Sequence, residues 1–355
     1  MASVAPPRLE IDPPLVNSSN PWATSLEDLR KLYECSSSGA VTTRTSLIRG
    51  FAHDPGVHQY TLFNLATNES STEPVTEPVS GEGPLGRNAS LNTLGYSPIT
   101  LKEYLQFIKQ IAKDHGRPSK GFLVSVTGDP EEVASSYGLI VETQREIQIP
   151  LAMEINLSCP NIPGKPPPAY SGEELARYLV RLHDAVTDPA NLPRIPFGLK
   201  TPPYTYSSQF KELINALVKT TEEVGGAVSD VSFITATNTL GSCVVFGQDN
   251  GEPGAKPSSA ASFDTVLPGS GIGGLAGAPL HPLALGNVMT LRKLMDEQKG
   301  ILGHIQIVGI GGVLDAGGFR RMKTAGAAVV GVGTGLGLKG VGIFKEIEAQ
   351  LEGNW

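Results

Sequence analysis

Residues 153–166 read Met-Glu-Ile-Asn-Leu-Ser-Cys-Pro-Asn-Ile-Pro-Gly-Lys-Pro. A short apolar run of strand type ends at Leu157. It gives way to a loop in which Pro160, Pro163 and Pro166 forbid regular hydrogen bonding. That loop carries a thiol, Cys159, between two carboxamides, Asn156 and Asn161. Neither carboxamide can ionise, and each offers donors and an acceptor, which suits a neutral ring with alternating N–H and C=O edges. A thiol held among them suits proton transfer or covalent attack. A lone Cys on a Pro-rich turn is more often buried and inert. The preceding strand and the Asn on either side favour chemistry here.

Further groups of this kind recur at the ends of apolar runs. Lys200 closes Phe197-Gly198-Leu199-Lys200, where a buried ammonium is costly unless it meets polar company. Asn238 and Thr239 follow Phe233–Thr237, and Asn92 adds a fourth carboxamide. One Asn alone is more often a turn cap; four on the loops of one rim are harder to read that way. Two late runs end in glycine, Ile310-Gly311-Gly312 and Val332-Gly333-Thr334-Gly335. Glycine after a strand lets backbone N–H groups approach an anion, and a helix start adds its dipole. Two such turns at consecutive final strands point to a phosphorylated ligand. Cys243, after Gly241-Ser242, is a rival thiol without polar partners in sequence, and Trp22 and Trp355 read as packing. The six His residues show no metal spacing and read as surface or loop positions, so no metal site is expected.

The elements that must position these groups follow from periodicity. Strand-like runs at 15–19, 39–45, 122–126, 153–157, 197–200, 231–236, 305–310 and 329–332 make about eight. Helical patterns at 26–33, 101–115, 130–137, 172–186, 207–224, 283–298, 317–325 and 341–351 lie between or after them. Strand–helix alternation implies parallel crossovers, and about eight units close a (β/α)8 TIM barrel. An open doubly wound sheet fits less well, because polar residues gather after nearly every strand, on one rim. The expectation is an α/β fold, one barrel domain over residues 1–355, with residues 64–90 as an extended surface loop and 247–278 as a loop over the active rim.

Composition narrows the function classes. The net charge of −7 speaks against nucleic acid as the main partner. Three scattered Cys give neither a disulfide framework nor a cluster motif. No apolar run approaches membrane-spanning length, and the first residues have neither a signal core nor an Arg-rich presequence, so a cytoplasmic setting is the default.

From about Leu15 to the C-terminus the chain resembles the soluble, fumarate-using class of dihydroorotate dehydrogenase. The resemblance rests first on residues 156–166, Asn-Leu-Ser-Cys-Pro-Asn-Ile-Pro-Gly-Lys-Pro. Supporting pieces are Gly198-Leu199-Lys200-Thr201-Pro202-Pro203-Tyr204, Asn238-Thr239-Leu240-Gly241, Gly271-Ile272-Gly273-Gly274, Ile310-Gly311-Gly312 and Gly333-Thr334. It implies an FMN enzyme that oxidises dihydroorotate to orotate in pyrimidine synthesis, with fumarate as acceptor, as a homodimer that needs neither membrane nor nucleic acid. Cys159 would be the general base. Asn92, Asn156, Asn161 and Asn238 would hold the orotate ring, with Thr93, Leu94, Gly95, Tyr96, Thr239 and Arg44 beside it. Lys200 would sit at the flavin N1–C2=O edge. Ser18, Ser19, Arg44, Thr45, Asn156 and Thr237 would line the flavin, and Gly274, Gly311, Gly312, Gly333 and Thr334 its phosphate. The chain departs from the family at Thr43-Arg44-Thr45-Ser46, where the family has Thr-Lys-Ser-Ser, at Asn17-Ser18-Ser19-Asn20-Pro21, and at Thr239–Cys243. Arg keeps the charge but forks differently. Those changes keep two other readings in play: a flavoenzyme for another dihydropyrimidine or enone-like ring, and a flavin-binding paralogue with little turnover.

Overall fold

The computed structural model describes residues 5–70, 86–115, 119–158, 167–247 and 264–355. Cys159 and Asn161 lie outside the described residues. The strands are β1 (Leu15–Asn17), β2 (Ala40–Thr42), β3 (Tyr60–Phe63), β4 (Ala89–Asn92), β5 (Gly121–Val126), β6 (Leu151–Asn156), β7 (Phe197–Thr201), β8 (Phe233–Ala236), β9 (Leu240–Cys243), β10 (Gly273–Gly277), β11 (Gln306–Ile310) and β12 (Val329–Val332). The helices are α1 (Leu26–Glu34), α2 (Leu101–His115), α3 (Pro130–Glu146), α4 (Gly172–Thr187), α5 (Ser207–Glu223), α6 (His281–Glu297), α7 (Lys299–Leu302), α8 (Ala316–Thr324), α9 (Thr334–Lys339) and α10 (Gly342–Leu351). Short polar side chains start several of them. Ser25 and Asp129 form capping boxes with Asp28 and Glu132, and Ser171 and Asp315 accept from first-turn amides.

Strands β1, β12, β11, β8, β7, β6, β5 and β2 pair in that order, all parallel, into a closed barrel. This is the expected (β/α)8 architecture. Because side chains alternate along a strand, every second residue enters the barrel. The lower inward positions are apolar: Val16, Ala40, Leu123, Ala152, Phe233, Val308 and Val329 form one buried cluster. Gly198 leaves room for the Phe233 ring, since a Cβ there would strike it. One step up four of the strands the inward residues turn polar, with Ser125 above Leu123, Glu154 above Ala152, Lys200 above Gly198 and Thr235 above Phe233. A layered barrel with a dry floor and a polar ceiling places chemistry at the C-terminal rim.

Three expectations need correction. The helix expected at 130–137 runs on to Glu146, because Val133, Tyr137, Ile140 and Val141 keep an i, i+4, i+7, i+8 buried stripe past Gly138. The stretches read as a surface loop and a rim loop border and contain strands: β3, β4, β10 and β9 make an antiparallel four-stranded sheet, in which Gly274 opposes Asn92 and Gly277 opposes Ala89. Its alternation is hidden by Gly-rich β10 and by polar Ser90 and Asn92. His281 is buried, not a surface residue. Its Nδ1 donates to the Gly311 carbonyl at 2.7 Å, and its Nε2 accepts from Arg321 Nε at 3.0 Å. Among the described residues no helix is long and apolar enough to cross a membrane.

Candidate active site

At the C-terminal rim a cleft opens with about 980 Å³ of atom-free space, its mouth included. The strand ends and the four-stranded sheet wall it together. Ser18, Ser19, Arg44, Thr45, Asn92, Leu94, Gly95, Tyr96, Asn156, Lys200, Thr237, Asn238, Thr239, Gly311, Gly312, Gly333 and Thr334 all line it, as expected from the sequence. Thr93 does not: its hydroxyl turns away and donates to the Val57 carbonyl at 2.6 Å. Gly274 is one layer back, under the Thr239 side chain, which a Cβ there would strike. The sequence reading missed Asn20, Pro21, Trp22, Tyr60, Ser90, Ala276, Gly277, Leu280 and Ile310 as site residues, and they complete the wall. Trp22 and Tyr60 meet edge to face, their ring centres 5.3 Å apart, so Trp22 does more than pack.

The wall has two ends. At one, Gly311 and Gly312 adopt φ of +139° and +67°, conformations that favour glycine, and Gly312 abuts the Gly277 carbonyl. Gly333 faces Ser18 so closely that a Cβ would lie 3.0 Å from its hydroxyl. Ser90 and Thr334 share a hydrogen bond of 2.8 Å, tying β4 to the start of α9. This end exposes backbone and hydroxyls and excludes bulk.

At the other end the carboxamides interlock. Asn238 Nδ2 donates to Asn156 Oδ1 at 3.1 Å and to Ser158 Oγ at 3.0 Å. Asn156 Oδ1 also accepts from the Ser158 amide and hydroxyl, both at 3.2 Å, while its Nδ2 donates to Thr45 Oγ1 at 3.0 Å. Asn238 Oδ1 accepts from the Thr239 amide at 2.8 Å. By the amide inventory this leaves, among the described residues, one Asn156 N–H and one Asn238 lone pair unspent. A donor beside an acceptor matches an N–H/C=O edge. The same bonds fix Ser158, so the chain leaves for Cys159 from an anchored point. Asn92 Nδ2 donates to the carbonyl of Gly274, the residue opposite it, at 3.1 Å, adding a side-chain bond to the β4–β10 pairing.

Between the ends lie the charges. Among the described residues the lining includes two cations, Arg44 and Lys200, and no carboxylate. In a chain of net charge −7 this is a local inversion that selects anionic ligands. Arg44 Nη2 donates to the Gly95 carbonyl at 3.3 Å. Lys200 makes no hydrogen bond to any described residue, although Glu154 Oε1 lies 3.9 Å from its Nζ. Thr237 Oγ1 is buried and has no hydrogen-bond partner among the described residues. Next to Tyr96 of the cleft wall, Phe51 packs ring against ring with Tyr96 and with His58, and His58 with His53. Burial, then Arg44 and His58, lower the His53 pKa. Cys243 is no rival thiol: burial raises its pKa and its Sγ donates to the Gly241 carbonyl at 3.5 Å.

A parallel barrel with glycine turns at its last strands and a cationic, carboxamide-lined cleft defines a class of enzyme-like scaffold for phosphorylated and anionic ligands. Comparison with known proteins makes the class specific. Residues 76–354 match the family profile described as dihydroorotate dehydrogenase. The chain belongs to the dihydroorotate dehydrogenase family, a family of oxidoreductases. It is 28% identical over 342 residues to the dihydroorotate dehydrogenase (fumarate) of Trypanosoma cruzi, covering 95% of this chain and 88% of that one. It is 26% identical over 339 residues to a protein of Streptococcus uberis named as dihydroorotate dehydrogenase A (fumarate), with the same coverage of 95% and 88%.

Proposed function

We propose that this chain oxidises (S)-dihydroorotate to orotate with bound FMN and passes the electrons to fumarate, as a step of pyrimidine synthesis. The observation that carries the reading is the division of the cleft: glycine backbone and hydroxyls at one end, interlocked carboxamides at the other, and Lys200 between them. FMN fits the first end and the middle. Gly311, Gly312, Gly333 and Thr334 would cradle its phosphate, Ser18 and the orphan Thr237 hydroxyl would meet its polar edge, and Lys200 would donate to the ring near N1 and C2=O. When bound, the flavin supplies the hydride acceptor.

The remaining chemistry belongs to the chain's own groups. Oxidation of dihydroorotate takes a proton from C5 and a hydride from C6, so a base must face one carbon while the ring is held flat. The Asn156 N–H and the Asn238 lone pair would fix an N–H/C=O edge, and Arg44 would attract the carboxylate. Cys159, one residue beyond anchored Ser158, would take the proton; an ordinary thiol pKa of about 8.5 leaves a minor thiolate fraction at neutral pH. Fumarate as acceptor rests on the names of the relatives.

The test is anaerobic. Dihydroorotate should bleach the flavin of the purified protein, while dihydrouracil and dihydrothymine should not. Bleaching by either of these instead supports the other-ring reading, and a yellow protein that none of them bleaches supports the paralogue. Cys159→Ala should keep the flavin and slow its reduction by roughly 10²–10⁴-fold; unchanged turnover removes Cys159 from the chemistry.

A further inference from the structure

Glu154 is the only buried carboxylate among the described residues, 1% exposed, on an inward position of β6 directly below the cleft. Taking a carboxylate out of water is expensive unless its charge is met. Two hydroxyls meet its oxygens: Ser125 Oγ donates to Oε1 at 2.9 Å and Thr235 Oγ1 to Oε2 at 2.8 Å. Both could serve a neutral Gln nearly as well. What only a carboxylate adds is a negative charge, and the nearest cation is Lys200, with Nζ at 3.9 Å. That separation is beyond hydrogen-bond reach but well within range for a strong Coulomb interaction in a buried site.

We infer that Glu154 is a positioning residue that keeps the Lys200 charge in place while leaving its donors unspent. The two hydroxyls, one from adjacent β5 and one from β8 two strands away on the other side, clamp the carboxylate and hold it back from the ammonium. A closer approach would form a charge-assisted bond and use up the donors the cleft needs. At 3.9 Å the pair balances charge without that bond. The clamp reaches further, because Ser125 Oγ also shares a hydrogen bond of 2.9 Å with Thr45 Oγ1, which accepts from Asn156. One buried network thus sets both the lysine and the carboxamide end.

This inference rests on the proposed flavin site for one readout and is independent of it for the other. The experiment is a double-mutant cycle on the full-length chain with Glu154→Gln, Lys200→Met and the pair together. In thermal unfolding, Glu154→Gln should lower the midpoint by several degrees, and adding Lys200→Met should restore most of the loss. In the flavin-loaded protein, Glu154→Gln should lower the two-electron midpoint potential by about 30 mV, a tenfold change in equilibrium. It should have no further effect once Lys200 is Met, and Glu154→Asp should recover most of the shift. Equal effects of Glu154→Gln in both lysine backgrounds, or a potential that rises, would overturn the assignment. If Glu154→Gln fails to fold but the double variant folds, the pairing stands; if neither folds, Glu154 acts without the lysine and the assignment falls. A chain that holds no flavin sinks the proposed cofactor, while the thermal cycle still decides the pairing.

Discussion

Two lysines are buried in the described residues, and they are treated in opposite ways. Lys120, just before β5, donates to the Leu32 carbonyl at 2.9 Å, the Cys35 carbonyl at 2.6 Å and the Ser38 hydroxyl at 2.9 Å. It also lies 5.8 Å from the centre of the Tyr33 ring. Its three donors are used, and it closes the C-terminal end of α1, where the helix dipole favours a cation. Lys200, on the same barrel but at its other rim, is equally buried and donates to no described residue. A saturated ammonium is a structural fastening. An unsaturated one, with a carboxylate 3.9 Å away and its donors on a cleft wall, still has hydrogen bonds to give.

The largest effect that could break this contrast is on chemistry. Lys200→Met should slow dihydroorotate-driven flavin reduction by roughly 10²–10³-fold, the usual loss when a preorganised electrostatic partner is removed. Stopped-flow reduction under anaerobic conditions measures it. Full activity would make Lys200 a second fastening and erase the contrast.

The contrast was half legible in the sequence. Lys200 could be read because it ends a buried apolar run, where an ammonium has to reach the rim. Glu154 could not: one carboxylate inside Met-Glu-Ile-Asn looks like an ordinary alternating strand, and only the closed barrel shows that its parity matches Leu123, Ser125 and Asn156. The barrel itself was readable, because each of its strands is a short apolar run bounded by helical periodicity. The four-stranded sheet was not, since antiparallel pairing of β4 with β10 joins residues far apart in sequence and Gly-rich β10 carries no period of two. Trp22 shows the same limit. Nothing local marks it as a cleft residue, and it becomes one because Tyr60 and glycine at position 337 of α9 receive its ring.

A second test works on the fastening. Lys120→Met keeps the aliphatic stem but removes the ammonium's bonds to the Leu32 and Cys35 carbonyls, leaving the second only the longer Ser38 contacts at 3.4 and 3.5 Å; an unmet buried carbonyl costs about 1–3 kcal/mol. Urea unfolding should show a loss on the order of 3 kcal/mol, while the flavin reduction rate per folded molecule stays at the parent value. A drop in that rate with stability intact would place Lys120 in the functional machinery and invert the comparison.

The smallest effect sharpens the boundary between the two regions at Arg44, the other cation of the cleft. His53 lies within its electrostatic reach, with a buried Nδ1 that has no hydrogen-bond partner among the described residues. Burial, Arg44 and His58 lower its pKa from the usual 6.5, and only Asp54 opposes them. The fold therefore prefers the neutral imidazole. A basic group whose pKa is depressed by folding contributes stability that is fully present above the unfolded value and is lost as pH falls through the folded one. The loss should begin below pH 6.5 and deepen as the ring is forced to charge beside Arg44. Between pH 7.5 and 5, His53→Gln should lose less stability than the parent, read as urea midpoints at each pH. Parallel pH profiles would show that burial and the neighbouring charges, Arg44 among them, do not hold His53 below its usual value.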